Sequence, residues 1–323
     1  MTNDATPLLS VEHLSRTFGT NRAVDNVSFD IYRGEVLGLV GESGCGKTTV
    51  GRCIMGLISP TGGRICFDST CIAAPRRDRV LRVDHTRQSR IRMAERIQMI
   101  FQDPMASLDP RMTVGEIVAE GLVIRGIRDR RTIEQAVYGV LEKVGLDRRF
   151  ADRYPHEFSG GQRQRIGIAR AVILQPELII ADEPVSALDV SVQAQVINLL
   201  HDLRQEMGLT ILFIAHDLSV VKYVSDRIGV MYVGKLVELA PAEALFRCPL
   251  HPYTKALLSA IPMPDPAFER LRRRVVYEPA TAHDLHGGAF SWREVAPGHF
   301  VSCQGGEYDV YRKQYQSKGK AQS

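Results

Sequence analysis

The sequence predicts an α/β fold: a strand–helix core interrupted by a helical insert, with an extension at the C-terminus. Three observations carry this. Val36–Val40 is a continuous apolar run, the pattern of a strand covered on both faces, and it ends in a glycine-rich turn at 41–46 before a predicted helix from Lys47 to about Ile58. Leu178–Ala181 is a second such run. It is followed by a helical stripe of Val192, Val196, Leu199, Leu200, Leu203 and Met207 closed by Gly208, then by a buried strand candidate at Ile211–Ile214. Between these halves, residues 105–175 read as helical, so the strand–helix alternation of a largely parallel sheet is split by an insert.

The remaining elements follow in chain order. Val27, Phe29 and Ile31 alternate with Ser28 and Asp30, a half-buried strand. Ile97–Phe101 is a further strand candidate. In the insert, Thr113 with Glu116 and Thr132 with Gln135 both fit capping boxes, and Gly145 ends the second helix after Val144. Strands are expected around 228–239 and a helix beginning at Pro252. Beyond about 262 the periodicity fades through Pro262, Pro264, Pro266, Arg270 and Arg272 to Arg274, which predicts a weakly structured tail. No internal repeat is found.

Composition bounds the function. With 323 residues, 44% hydrophobic and 24% charged, the chain can bury a full core, which excludes whole-chain disorder. A formal charge of +4, from 41 Lys and Arg against 37 Asp and Glu, is too small to indicate a nucleic-acid binder. No apolar run reaches 18 residues and the first 15 residues carry no secretory pattern, so a cytosolic globular protein is expected. Six cysteines without tight spacing fit a reducing compartment. Residues 76–96 hold eight Arg against two Asp and one Glu, which reads as a solvated surface insertion rather than a phosphate-binding patch.

Three motifs carry chemistry. Gly41-Glu42-Ser43-Gly44-Cys45-Gly46-Lys47-Thr48, with Thr49 next, matches a phosphate loop and lies between a buried strand and a helix, where that motif must lie. Glycines let backbone N–H groups face phosphate oxygens, the helix start adds its positive dipole end, Lys47 reaches the outer phosphates and Thr48 offers a hydroxyl to Mg²⁺. Cys45 reads as a small tolerated side chain. In LIIADEP, the buried strand delivers Asp182 and Glu183 to the carboxyl edge of the sheet, Asp182 placed for Mg²⁺ and Glu183 for polarising a water. In FSGGQRQRIGIARA, Ser159, Gly160 and Gly161 open an arginine-bearing helix, a second anion-binding helix start. One nucleotide rarely needs two such cradles in one chain, which suggests two chains per site.

At these residues the sequence resembles the ATP-binding-cassette family, and specifically the ATPase subunits of dipeptide and oligopeptide importers. FSGGQ is similar to the family's LSGGQ signature with Phe158 in place of leucine; Phe101-Gln102-Asp103-Pro104 matches the Q-loop, Ser186-Ala187-Leu188-Asp189 the D-loop, and His216 the switch histidine. Phe18 looks like the aromatic that stacks on adenine. The stretches 101–112 and 251–262 resemble the peptide-importer branch in particular, and the whole resemblance covers about residues 8–262.

The resemblance implies a P-loop NTPase (RecA-like) core with an antiparallel β subdomain and a helical signature subdomain at about 105–175, an ATP-binding domain over 1–262 and an importer-type extension over 263–323. It implies a head-to-tail pair of cassettes closing on two ATPs. Lys47, Thr48, Gln102, Asp182, Glu183 and His216 would act on one nucleotide, with Thr48, Gln102 and Asp182 at Mg²⁺. Ser159, Gly161 and Gln162 would face the γ-phosphate held by the partner, a paralogous or identical ATPase, and Gly160 and Asp189 would also contact nucleotide. Two membrane permease subunits, served by an extracytoplasmic solute-binding protein, would be driven from the cytoplasmic face of the inner membrane.

One departure stands out: many relatives carry a C-terminal cysteine set for an iron–sulfur cluster, whereas that region here has only Cys303, so no cluster is expected. Cys66 and Cys71 read as ordinary thiols, and His251 as a helix-start residue rather than a ligand. Import of nickel or opine-type solutes is the alternative within the same role. A soluble ribosome- or DNA-acting cassette factor is disfavoured by the short insert and single motif set, and a GTPase-type switch by the lack of N-K-x-D.

Overall fold

The computed structural model describes residues 6–75, 86–261, 275–279 and 289–320. In order the elements are β1 (Leu9–Phe18), β2 (Asn21–Ile31), β3 (Val36–Val40), α1 (Lys47–Ile54), β4 (Gly62–Phe67), β5 (Thr70–Ala73), α2 (Arg87–Arg96), β6 (Ile97–Ile100) and α3 (Pro104–Ser107). Next come α4 (Val114–Arg125), α5 (Arg130–Lys143), α6 (Gly160–Val172), β7 (Leu178–Asp182), α7 (Val190–Met207), β8 (Thr210–Ala215), α8 (Leu218–Val224), β9 (Arg227–Tyr232) and β10 (Lys235–Pro241). The chain closes with α9 (Ala242–Arg247), α10 (Pro252–Ser259), β11 (Ser291–Ala296), β12 (His299–Cys303) and α11 (Gly305–Lys320).

Two sheets organise these elements. One is four-stranded and antiparallel, ordered β2-β1-β4-β5; the other is eight-stranded, ordered β11-β12-β10-β9-β3-β8-β7-β6. The central run from β9 to β6 is parallel, with Val36 opposite Ile211, Leu178 opposite Thr210 and Ile97 opposite Leu178. The uniform apolarity of these strands has a direct cause. Leu37, Leu39, Ile180, Leu212 and Ile214 join a core shared with the antiparallel sheet and α1, through Val27, Phe29, Val50 and Ile54. Val36, Val40, Ile179, Ala181, Ile211 and Phe213 point the opposite way into a core with α4, α6, α7 and α8. Each strand alternates between two dry faces, so both parities must be apolar.

Across the stretch read as helical, 105–175, the structure has helices α3 to α6 between Pro104 and Val172, and one cap differs from the expected one. Thr113 and Glu116 form the expected capping box. The Thr132–Gln135 box does not form: the N-cap is Asp129, whose carboxylate takes the Thr132 N–H at 2.8 Å, so the helix starts two residues before Thr132. Gly145 does follow the helix end with φ 73°. The first helix stops at Ile54 rather than Ile58, with Gly56 left-handed at φ 71°.

The expectation of a weakly structured end is corrected for the described residues. β12 extends the main sheet by pairing with β10, Glu238 opposite Val301 and Leu239 opposite Phe300, and β11 pairs with β12. The strands escaped notice because β11 is largely exposed and β12 buries His299 and Cys303, so neither shows apolar alternation. The proline run and Arg270 to Arg274 lie outside the described residues, as do 76–85 of the arginine-rich stretch. Its last member, Arg96, is structural: it pairs with Glu177 and, at 2.7 Å, with Asp68, and its guanidinium lies 4.7 Å over the Phe67 ring. Cys66 and Cys71 face each other across the β4–β5 hairpin, and all six cysteines are free thiols.

Candidate active site

The site is built at the carboxyl ends of four neighbouring parallel strands, where loops leaving β3, β6, β7 and β8 converge. Leaving β3, the chain wraps through Gly41–Gly46 into α1. Two glycines here are obligatory. A Cβ on Gly41 would sit 2.1 Å from the Met231 carbonyl oxygen, and one on Gly46 2.2 Å from that of Ala23, with φ of +152° and +105° respectively. Gly46 is the N-cap of α1 and provides no side-chain cap, so the N–H groups of the first turn are left for an external acceptor.

Lys47 is buried, and its Nζ donates to the carbonyls of Gly41 at 2.8 Å and Glu42 at 2.9 Å. Thr48 Oγ1 donates to Asp182 Oδ1 at 2.9 Å, joining the start of α1 to the end of β7. Burial holds the Asp182 carboxyl above the usual carboxylate range, against the opposing Thr48 hydrogen bond. Cys45 is buried beside Lys47, and burial pushes its thiol up, which makes it an unreactive filler.

Glu183 stands next in a left-handed backbone conformation, φ 45°, with its N–H held by the Ile214 carbonyl at 2.9 Å. A non-glycine residue held there is strained, and the strain turns its carboxylate away from that of Asp182 and into the cleft. Glu183 Oε2 accepts from Gln102 Nε2 at 2.9 Å and lies 3.3 Å from His216 Nδ1. Three side chains from three strand ends thus meet at one oxygen. The cleft around them, about 580 Å³, is lined by Ser43, Gln102, Asp103, Glu183, Ser186, Ala187 and His216. Asp103, Ser186 and Ala187 were absent from the predicted site residues although they lie inside the Q-loop and D-loop stretches that signalled it. Asp103 also caps α3, accepting from Met105 N at 2.8 Å.

The other predicted residues do not line this cleft. Ser159 is the N-cap of α6 in a capping box with Gln162, whose Oε1 takes the Ser159 N–H at 3.0 Å. Gly160 and Gly161 pack against Leu188 and Val192, where a Cβ on Gly161 would come within 2.5 Å of Val192. Asp189 is exposed at the start of α7. Phe18 is 43% exposed at the end of β1, with the Arg16 guanidinium 4.4 Å over one face of its ring. The structure therefore gathers the phosphate loop, Gln102, Asp182, Glu183 and His216, and leaves the FSGGQ turn on another surface.

Comparison with known proteins agrees with this geometry. Residues 24–186 match the family model for the ABC transporter, and residues 237–293 the model for the oligopeptide/dipeptide transporter C-terminal region. The chain is 56% identical to an oligopeptide transport ATP-binding protein OppF of Bacillus subtilis over 94% of this chain and 98% of that one. It is 50% identical to a dipeptide transport ATP-binding protein DppF of Lactococcus lactis over 95% and 97%. Among solved structures it resembles cbiO1 of Clostridium perfringens, part of an ABC transporter complex, with TM-score 0.65, 29% identity and coverage of 74% of this chain and 90% of that chain. It also resembles a dimeric ATP-binding cassette in a post-hydrolysis state bound to ADP and Pi, with TM-score 0.63, 28% identity and coverage of 72% and 98%. A phosphate loop, a paired Asp-Glu strand end and a signature helix, in a chain so similar to these proteins, lead to one assignment: the chain belongs to the ABC transporter family, as an ATPase subunit of its oligopeptide and dipeptide importers.

Proposed function

We propose that the cleft between the phosphate loop and Glu183 is one half of an ATP hydrolysis site, completed by the FSGGQ turn of a second cassette. The observation that carries this is the convergence of Gln102 and His216 on Glu183 Oε2 beside the Thr48–Asp182 pair. The N–H groups of Gly44 to Thr49 and the Lys47 ammonium would take the β- and γ-phosphates, and Phe18 would stack on adenine. On binding, the phosphates replace the Gly41 and Glu42 carbonyls as partners of Lys47.

The donor set suits Mg²⁺. Thr48 Oγ1, the Asp182 carboxylate and Gln102 Oε1 are all hard oxygens, and the Gln102 amide nitrogen is already engaged by Glu183. The ion would relieve the burial of Asp182 and screen the phosphate charge. Glu183 would accept a proton from water as the water oxygen attacks the γ-phosphorus and the β–γ bridging oxygen leaves with ADP. His216, 3.3 Å from Glu183, would turn to the γ-phosphate and free the carboxylate.

Ser159, Gly160, Gly161 and Gln162, with Asp189, would face the nucleotide held by the partner cassette, identical or paralogous. Among the described residues no helix is long and apolar enough to cross a membrane. The proposed role is that of a peripheral subunit working on two permease chains at the cytoplasmic face, with the ATP-binding domain over 1–262, the extension over 263–323 and a separate solute-binding protein. No iron–sulfur cluster or nucleic acid is part of this reading.

The test is Glu183→Gln in the assembled transporter. ATP turnover should fall by about 10²–10⁴-fold with ATP still bound, the scale of a lost general base; normal turnover would remove Glu183 from that role.

A further inference from the structure

The phosphate loop is held from outside the four strand ends by a residue the hydrolysis scheme leaves unused. Tyr253, in the first turn of α10, is 2% exposed, and its hydroxyl accepts the Glu42 N–H at 3.1 Å across 211 residues of sequence. Glu42 is the second residue of the loop, and its carbonyl is the one that Lys47 holds at 2.9 Å. The far end of the loop has its own brace, the Gly234 N–H on the Cys45 carbonyl at 3.0 Å. Burial pushes the Tyr253 hydroxyl far above its ordinary value, so it stays neutral as an acceptor at any working pH.

The tyrosine is itself immobilised from two sides. Its ring packs on Tyr232, centroids 4.4 Å apart, and on Tyr277 at 5.5 Å. The start of α10 is fixed because His251 caps it, its Nδ1 taking the Tyr253 N–H at 3.1 Å. That cap hangs on Glu238 of β10, which is wholly buried and accepts from Leu250 N at 2.8 Å, His251 N at 3.0 Å and His299 Nε2 at 2.7 Å. Since His299 opens β12, an unbroken hydrogen-bonded chain runs from the C-terminal strands through Glu238, His251 and Tyr253 to the peptide that Lys47 grips.

We propose that Tyr253 is a positioning residue for ATP binding: its hydroxyl fixes the Glu42 peptide, and with it the entry to the phosphate loop, and ties the shape of that loop to the C-terminal strands. The role rests on the reading of Gly41–Thr48 as the ATP phosphate cradle. A loop already held in its binding shape loses less conformational freedom when nucleotide arrives, so the hydroxyl acts on affinity more than on the chemical step.

The experiment is Tyr253→Phe in the full chain, which keeps the ring packing and removes only the hydroxyl. ATP affinity should fall by about 3–10-fold, the range set by one hydrogen bond. The loss should appear in KM rather than kcat of the assembled transporter, and the nucleotide-free melting temperature should move by no more than about 2 °C. Tyr232→Phe alters the same aromatic cluster but not the loop contact, and should bind ATP as the wild type does. Wild-type affinity in Tyr253→Phe, or an equal loss in Tyr232→Phe, would overturn the positioning role. Lys47→Ala in the same assay separates the two claims: if it still binds ATP normally, the cradle reading falls and the positioning role with it. If it binds poorly while Tyr253→Phe binds normally, the positioning role alone falls.

Discussion

The chain carries two glycine-rich helix starts, and they are built in opposite ways. At the phosphate loop the backbone is enclosed: carbonyl oxygens of Met231 and Ala23 stand within 2.2 Å of where the Cβ atoms of Gly41 and Gly46 would be, and Lys47 is buried against the loop. Hydroxyl, carboxylate and imidazole groups stand alongside, with Thr48 on Asp182 and Glu183 flanked by Gln102 and His216. At the FSGGQ turn, Ser159 is exposed, its hydroxyl and N–H close on Gln162, its carbonyl takes the Arg163 N–H at 2.9 Å, and the glycines lean on Leu188 and Val192. Among the described residues, neither a carboxylate pair nor a lysine hydrogen-bonds to it. The difference teaches that donor-rich helix starts are not equivalent sites. In the proposed site the first would bind and cleave a triphosphate, and the second, offering donors alone, would act on a nucleotide held by another surface.

Three changes break this contrast from different sides, after the large loss already assigned to Glu183→Gln. Ser159→Arg places a bulky cation on the exposed turn. Turnover of the assembled transporter should fall by about 10²-fold, the scale of a lost transition-state donor, while the ATP dissociation constant of the isolated chain stays within about twofold. A matching loss of affinity would place the turn at the chain's own nucleotide. Lys47→Ala should weaken ATP binding by about 10–100-fold, as expected for a charge-assisted contact, and equilibrium dialysis checks it.

Asp182→Asn gives, in fold stability, the smallest shift and a change of sign. Burial raises the Asp182 pKa in the folded chain above its ordinary 3.8, so ionisation disfavours the fold. That loss is absent below the ordinary value, grows as pH rises from the ordinary value to the raised one, and is complete above it. The asparagine should therefore raise the nucleotide-free melting temperature at pH 7 by about 1–3 °C, with the gain vanishing in acid, while Mg²⁺-dependent turnover is lost. A melting temperature lowered at pH 7 would show that the ionised carboxylate stabilises the fold.

How much was legible depended on whether backbone or side chain set the constraint. The phosphate loop and the strands β3, β7 and β8 were readable because two dry faces force unbroken apolar runs and a tight wrap forces glycine. Gln102 and His216 are single polar residues just past strand ends, and nothing in their spacing marks them; only family resemblance singled them out, and the structure brought both to Glu183. Asp129 was overlooked as a cap because Thr132 and Gln135 offered an equally good local pattern, and only the helix start decides between them. β11 and β12 stayed hidden because their burial rests on His299, Cys303 and the buried Glu238 rather than on an apolar stripe. Tyr253 sits in a stretch that resembles the peptide-importer branch, but a contact to Glu42 across the fold leaves no local trace.

The central claim is that this chain holds half of each site and a second cassette the other half. The most direct measurement is the mass in solution, by light scattering, of the Glu183→Gln chain with ATP and Mg²⁺, alone and mixed with the second ATPase of its transporter. The account predicts a two-cassette particle that forms with ATP, not with ADP, and disappears when Ser159→Arg is added. A chain that holds ATP yet stays single in both mixtures, or a pair indifferent to Ser159→Arg, would contradict it.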